Sequence, residues 1–272
     1  MNTLSRSIAL FRSSALLLVL CLLTPLSPAT AAASNPPAPG FDEAGSDAKA
    51  IALADEVMLA LGGRKAWDDT HYITWRFFGG RRHVWDKFTG RLRFEDKDLV
   101  VLMNLNDETG RAWKAGVEVT EGGELKQILD RTKGAWINDS YWLLMPYKLK
   151  DSGVTLNYLG RQTDEDGREQ EVLQLTFKNV GRTPDNKYHV FIDPESHLVT
   201  SWTYWKDASV DEPRSLGPWR DWTRYGQIML TPDHGERKHS EIVVYDDLPD
   251  AVFESPSPAF DVSAYPPAAS KG

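Results

Sequence analysis

The spacing of apolar positions changes along the chain, and the change divides it into regions. Between about residues 47 and 61, Ile51, Ala54, Met58 and Leu61 fall on one face at helical spacing, and Gly62-Gly63 supplies a stop. From residue 72 the period drops to two. Residues 72–78 read as a strand, and 83–88 with 91–95 read as a hairpin turned at Thr89-Gly90. Segments 99–105, 113–120, 154–159, 172–177, 188–192, 197–205, 219–231 and 241–245 continue the series. Roughly ten short strands are too many for a flat α/β sheet and suit a strongly curved antiparallel one. The expected fold class is mainly β with helices (α+β): an unclosed barrel whose concave face the helices cover.

One helical stretch interrupts the strands. Leu125, Ile128, Leu129 and Thr132 recur at helical spacing up to Gly134, which is expected to split or kink the helix. Asn138 or Asp139 could then cap a second turn running through Tyr141-Trp142-Leu143-Leu144-Met145 until Pro146 ends it. Such apolar segments must cover the sheet or its mouth. A helix cannot bury its whole circumference against one sheet, so Tyr141, Trp142, Leu144 and Met145 are expected to close an apolar space. Trp75, Phe77, Trp202 and Tyr204 from the strands are expected to complete it. The ten tryptophans of the chain serve either a large aromatic core or a cavity lined by rings for an apolar ligand.

The N-terminus changes the picture of where this domain works. Arg6 and Arg12, an apolar run at 15–23 and small residues at 29–33 have the form of an export signal. The run is shorter than the ~20 residues that span a bilayer. Residues 1–33 are therefore expected to be a cleaved signal peptide, 34–46 a flexible leader, 47–254 a single domain and 255–272 a C-terminal tail on which Phe260 docks. Export to the periplasm of a Gram-negative bacterium follows, with no transmembrane segment after signal removal. Cys21, the chain's one cysteine, leaves with the signal, so the mature domain must be held by its core rather than by disulfides. The formal charge of −8 becomes more negative once two arginines are removed, which argues against a nucleic-acid partner.

Signatures of chemistry are sparse. The chain has no His-Glu-x-x-His pair, phosphate-binding loop or Gly-x-Ser-x-Gly elbow. Gly79-Gly80-Arg81-Arg82 reads as a hairpin turn. His71, His83 and Asp86 could approach one another, yet His83 and Asp86 point to opposite faces of one strand, so no metal and no cofactor is expected. Those three residues with Tyr225 are the candidates for an enzyme, a hydrolase being the lesser alternative. A structural or protein-interaction module of the cell envelope is the other.

Residues 138–153, Asn-Asp-Ser-Tyr-Trp-Leu-Leu-Met-Pro-Tyr-Lys-Leu-Lys-Asp-Ser-Gly, carry a family resemblance together with Gly62-Gly63, His83-Val84-Trp85-Asp86, Phe177-Lys178-Asn179-Val180-Gly181, Thr183-Pro184 and residues 188–193. They resemble the LolA/LolB-like lipoprotein-carrier superfamily, and within that fold an uncharacterised family of exported bacterial proteins. The resemblance covers most of residues 48–231. It implies an unclosed antiparallel sheet plugged by helices over an apolar cavity, which in the carriers accepts lipoprotein acyl chains. The function expected is therefore a non-enzymatic binding protein for a lipid, an acyl chain or another apolar ligand, with an envelope protein as a further possible partner.

Overall fold

The structure, a computed structural model, describes residues 35–270 apart from positions 165, 179, 181, 182 and 211. The expected signal peptide lies outside the described residues. Helix α1 (Ala48–Ala60) buries Ala50, Leu53, Ala54, Val57 and Met58, one stripe at 3.6-residue period. Gly62, at φ 112°, turns the chain where a Cβ would lie 2.4 Å from the Gln227 carbonyl oxygen. Glycine is required there on both counts. The short helix α2 (Arg64–Asp69), with i,i+4 pairs Arg64–Asp68 and Lys65–Asp69, follows where the pattern of apolar residues gave no signal.

The strands are antiparallel throughout and unclosed, as the period-two segments imply, and they divide into two principal sheets. β1 (Tyr72–Arg76), β2 (Arg82–Asp86), β3 (Arg91–Asp96), β4 (Leu99–Asn104), β5 (Gly110–Lys114) and β6 (Val117–Glu118) form a meander. Helix α3 (Gly122–Leu144) ends it. A second meander then runs through β7 (Val154–Thr163), β8 (Glu169–Phe177), β9 (Lys187–Ile192), β10 (Val199–Trp205) and β11 (Arg214–Pro218). Two ribbons follow, β12 (Thr223–Tyr225) with β13 (Ile228–Leu230), and β14 (Asp233–His234) with β15 (Arg237–Lys238). β16 (Ser240–Tyr245) returns to pair with β1, which gives the first sheet the order β16-β1-β2-β3-β4-β5-β6 and the second β11-β10-β9-β8-β7.

α3 is one continuous helix through Gly134, because its two halves each have a surface to cover. Ile128 and its neighbours pack on Leu92, Phe94 and Val101 of the first sheet. Leu143 and Leu144 enter the main core with α1 and the second sheet. The N-terminus is capped by Glu121, which accepts from the amides of Gly123 and Glu124. Asp139 is therefore no cap but a mid-helix residue, fully buried.

The leader and the tail are both docked. Residues 38–47 lie against the start of the second sheet through Ala38 N–Lys150 O, Asp42 N–Val154 O and Asp47 N–Leu156 O, at 2.9–3.0 Å. At the other end, helix α4 (Ala251–Glu254) leads into a segment that places Val252, Phe253 and Phe260 against Tyr72, Val84 and Tyr245. Ala268 N, further along the tail, reaches the Val244 carbonyl at 2.8 Å.

Tyr147 ties three parts of this core together. Its hydroxyl lies 2.7 Å from Met229 O and 3.0 Å from Leu61 O and accepts from Met229 N at 3.1 Å. Removing it takes the donor from the Met229 carbonyl, whereas Met229 N and Leu61 O keep each other at 3.0 Å; leaving that carbonyl unmet costs about 1–3 kcal/mol. Tyr147→Phe is expected to lower the urea midpoint accordingly, with an unchanged denaturant slope.

Candidate functional site

The second half of α3 faces the inner surface of β8–β11 across a cleft of about 400 Å³. Gly134, Ile137, Asn138, Tyr141 and Trp142 come from the helix; their spacing places them on one face. Phe177, Thr183, Asn186, Tyr188, Tyr204 and Leu216 form the opposite wall. Tyr188 and Tyr204 are direct partners in the β9–β10 register, with ring centroids 5.2 Å apart. Phe177 meets Tyr188 edge-on at 5.8 Å, and Tyr141 approaches Tyr188 at 5.5 Å across the cleft. Beneath them Trp202 packs against Trp142 at 4.9 Å and Tyr188 at 5.6 Å.

Few polar groups enter this aromatic wall. Asn186, only 6 % exposed, donates from Nδ2 to Thr183 Oγ1 at 2.6 Å, and its Oδ1 lies 3.4 Å from the Tyr204 hydroxyl. Burial pushes the Tyr188 phenol up to about 12, against the pull of a hydrogen bond from Asn186. Burial and then the neighbouring Tyr188 raise Tyr141 well above the usual tyrosine range. Both phenols are neutral at physiological pH, and every described residue of the lining is uncharged.

Of the eight residues expected to line this space, the structure brings Tyr141, Trp142 and Tyr204 to it. Trp202 supports it from below, 1 % exposed. Trp75, Leu144 and Met145 are core residues packed away from it, each at most 2 % exposed. Phe77 falls outside β1, in a 3₁₀ turn at Phe77–Gly79, where it stacks on Phe78 at 4.0 Å. The alternation of Trp75 and Phe77 is thus broken by a turn in which Phe78 itself takes φ 46°. Sequence reading missed Asn186, Thr183, Tyr188 and Phe177. Tyr188 and Phe177 sit at strand ends facing the cleft, and strand parity counted from Tyr204 across the register could have found Tyr188.

Behind the cleft a charged cluster holds α3 to the first sheet. Arg81 forks onto Asp139 with Nε–Oδ2 and Nη2–Oδ1 both at 2.7 Å, and His83 Nε2 meets Oδ2 at 2.8 Å. Asn138 Nδ2 adds a contact at 3.0 Å. Burial alone would raise the Asp139 carboxyl, but hydrogen bonds from His83 and Arg81 outweigh it and hold it below the usual range. Burial lowers His83, so the neutral ring donates from Nε2. An acid inside an apolar helical run needs a partner, and that was the signal available in the sequence.

The residues weighed for an enzyme separate. His71 pairs with Asp86 at 3.1 Å, whereas His83 turns to the opposite face and Asp139. Tyr225, on β12, packs against the main core. Among the described residues, no group of three or more His, Cys, Asp or Glu is placed to hold a metal ion.

The fold and the cleft define a mainly β, α+β protein with unclosed antiparallel sheets and a pocket lined by rings. No family model and no curated protein matches the chain. Among solved structures, a DUF1329 family protein from Desulfovibrio piger is similar over 76 % of this chain and 97 % of its own, with 12 % identity and a TM-score of 0.38.

Proposed function

We propose that this chain is an exported, non-enzymatic binding protein that holds a lipid, an acyl chain or another apolar ligand between α3 and the second sheet. The cleft carries the reading. About 400 Å³ lies within the ~300–1,000 Å³ of small-molecule sites, and its lining of rings with a few convergent polar groups has their usual character. The LolA/LolB-like features of the sequence support an acyl chain as the occupant, and the form of the N-terminus supports the periplasm as the compartment. Among the described residues no helix is long and apolar enough to cross a membrane.

Mass spectrometry of an organic extract of the purified protein, with titration of fatty-acyl probes, tests the reading; a clean extract and no probe uptake would end it. Trp142 is the residue to change, because it lines the cleft and touches Trp202, Phe78 and His234. Trp142→Ala is expected to enlarge the cleft and shift the affinity of an environment-sensitive apolar dye at least severalfold while the domain stays folded. A pure loss of stability, about 3–5 kcal/mol for truncating a buried tryptophan, with unaltered dye binding would make it a core residue only. Intact mass of protein from the native host is expected to show a chain starting near Ala32 or Ser34.

A further inference from the structure

Asn138 and the buried, unpartnered Tyr141 hydroxyl lie on the helix side of the cleft, and on its sheet wall Asn186, Tyr188 and Tyr204 bring an amide and two phenols together. This group is built into the fold rather than scattered on the surface. Asn186 is 6 % exposed, and its side chain is oriented by the 2.6 Å bond from Nδ2 to Thr183 Oγ1, which leaves Oδ1 as the acceptor on its other side. The partner of that acceptor is the Tyr204 hydroxyl, at 3.4 Å. This is long for an O–H···O bond, whose usual range is ~2.5–3.0 Å. A half-buried hydroxyl and a buried carbonyl so loosely engaged leave hydrogen-bonding capacity directed at the cleft, and a buried polar group gains most when that capacity is met.

We propose that Asn186, Tyr188 and Tyr204 form a recognition subsite for an uncharged hydroxyl group, so that the ligand is a neutral hydroxyl-bearing amphiphile with its apolar body along Tyr141, Trp142 and Phe177. The inference rests on the reading of the cleft as an apolar-ligand site. A hydroxyl donates and accepts at once, which suits a subsite that offers both the Asn186 carbonyl and phenolic O–H groups. A carboxylate can only accept. It would also bring a charge into a lining whose described residues are all neutral, and a buried charge needs a paired one. Of the nearby cations, Arg81 behind the helix spends both arms of its fork on Asp139, and Arg237 lies over the Trp142 ring, 5.3 Å from its centroid. An ester without a hydroxyl accepts but has nothing to donate to Asn186.

Three probes of one chain length separate these cases: monolaurin, laurate and methyl laurate, each titrated at neutral pH below its micellar concentration against tryptophan fluorescence and by calorimetry. Monolaurin is expected to bind at least fivefold tighter than either of the others. Asn186→Leu, which keeps the bulk and removes the amide acceptor, is expected to erase that preference. Laurate binding as tightly as monolaurin, or a preference that survives Asn186→Leu, overturns the subsite while leaving the cleft a ligand site. Failure of all three probes to bind overturns the reading of the cleft and this inference with it. The comparison in the wild-type protein decides the matter even where the variant folds poorly.

Discussion

Arg93→Ala is expected to remove about 3–5 kcal/mol of stability, the usual cost of taking one partner from a buried ionic network. Arg93 is 2 % exposed, and all five of its N–H donors are engaged. Nε meets Glu95 at 2.7 Å; Nη1 reaches the carbonyls of Val252 and Ser255 at 3.1 and 2.7 Å; Nη2 reaches those of Pro256 and Pro258 at 3.0 and 2.8 Å. Glu95 in turn accepts from Arg82 and from the Phe260 amide, and Arg82 also donates to the Phe260 carbonyl. The C-terminal segment is thus strapped across the first sheet by two guanidinium groups. Without Arg93, four carbonyls lose their donor and Glu95 loses a counter-charge. Arg93→Lys is expected to restore little, since a point charge with three donors cannot reproduce a planar fork. Urea denaturation measures the loss, and limited proteolysis is expected to open first at residues 250–270. A cost below about 1 kcal/mol would show that the strap does not depend on Arg93.

Mild acid is expected to weaken the fold well before the carboxylates titrate. His234 and His239 are 2 % and 3 % exposed, with ring centroids 5.1 Å apart. Burial lowers His234 to about 4, against the opposing pull of the Pro218 carbonyl and Asp233. Burial, followed by the neighbouring His234, lowers His239 to about 3, with Asp139 pulling the other way. The unfolded chain takes up these protons near the ordinary value of 6.5 and the folded chain far below it. Stability is therefore fully present above pH 6.5 and is lost as pH falls through that value toward 4 and then 3. The slope approaches 1.4 kcal/mol per pH unit for each histidine, so several kcal/mol are lost in total. Between pH 6.5 and 4.5 the carboxylates contribute little, and that window isolates the histidines. His239→Phe, among Phe77, Phe78 and Trp142, is expected to remove about one proton from the slope. Denaturation curves at four pH values across the window check this; a flat profile from pH 7 to 4.5 would contradict it.

These two networks show where sequence reasoning stopped. Arg93 and Glu95 sit in the segment 91–95 read as a strand of a hairpin, and Arg82 in the turn read at Gly79-Gly80-Arg81-Arg82. In the structure both arginines are buried because a segment more than 150 positions later lies over them. Asp139 was read as a cap, since a carboxylate beside Asn138 ahead of an apolar run is the local signature of a helix start. The helix nevertheless runs through it, because Arg81, 58 positions earlier, neutralises the carboxylate and the neutral His83, 56 positions earlier, donates to it. In each case a local signal was outweighed by a partner that no spacing reveals.

What the amino-acid order determined by itself is what depends on neighbours a few residues apart. The α1 stripe and its Gly62 stop, the period-two strands with their antiparallel turns, and the placement of Tyr141 and Trp142 on an apolar helical segment all follow from backbone geometry and local periodicity. Tertiary structure alone decided which of those apolar faces meet. It divided the strands into two sheets and sent Trp75, Leu144 and Met145 into the core. It turned the chain at Phe77, and it set Tyr188 and Asn186 opposite α3. The physical reason is that a period states which side of an element is apolar, whereas the partner that covers that side is chosen by contacts far apart in the chain, and the cleft is the part of the helix face that no such partner fills.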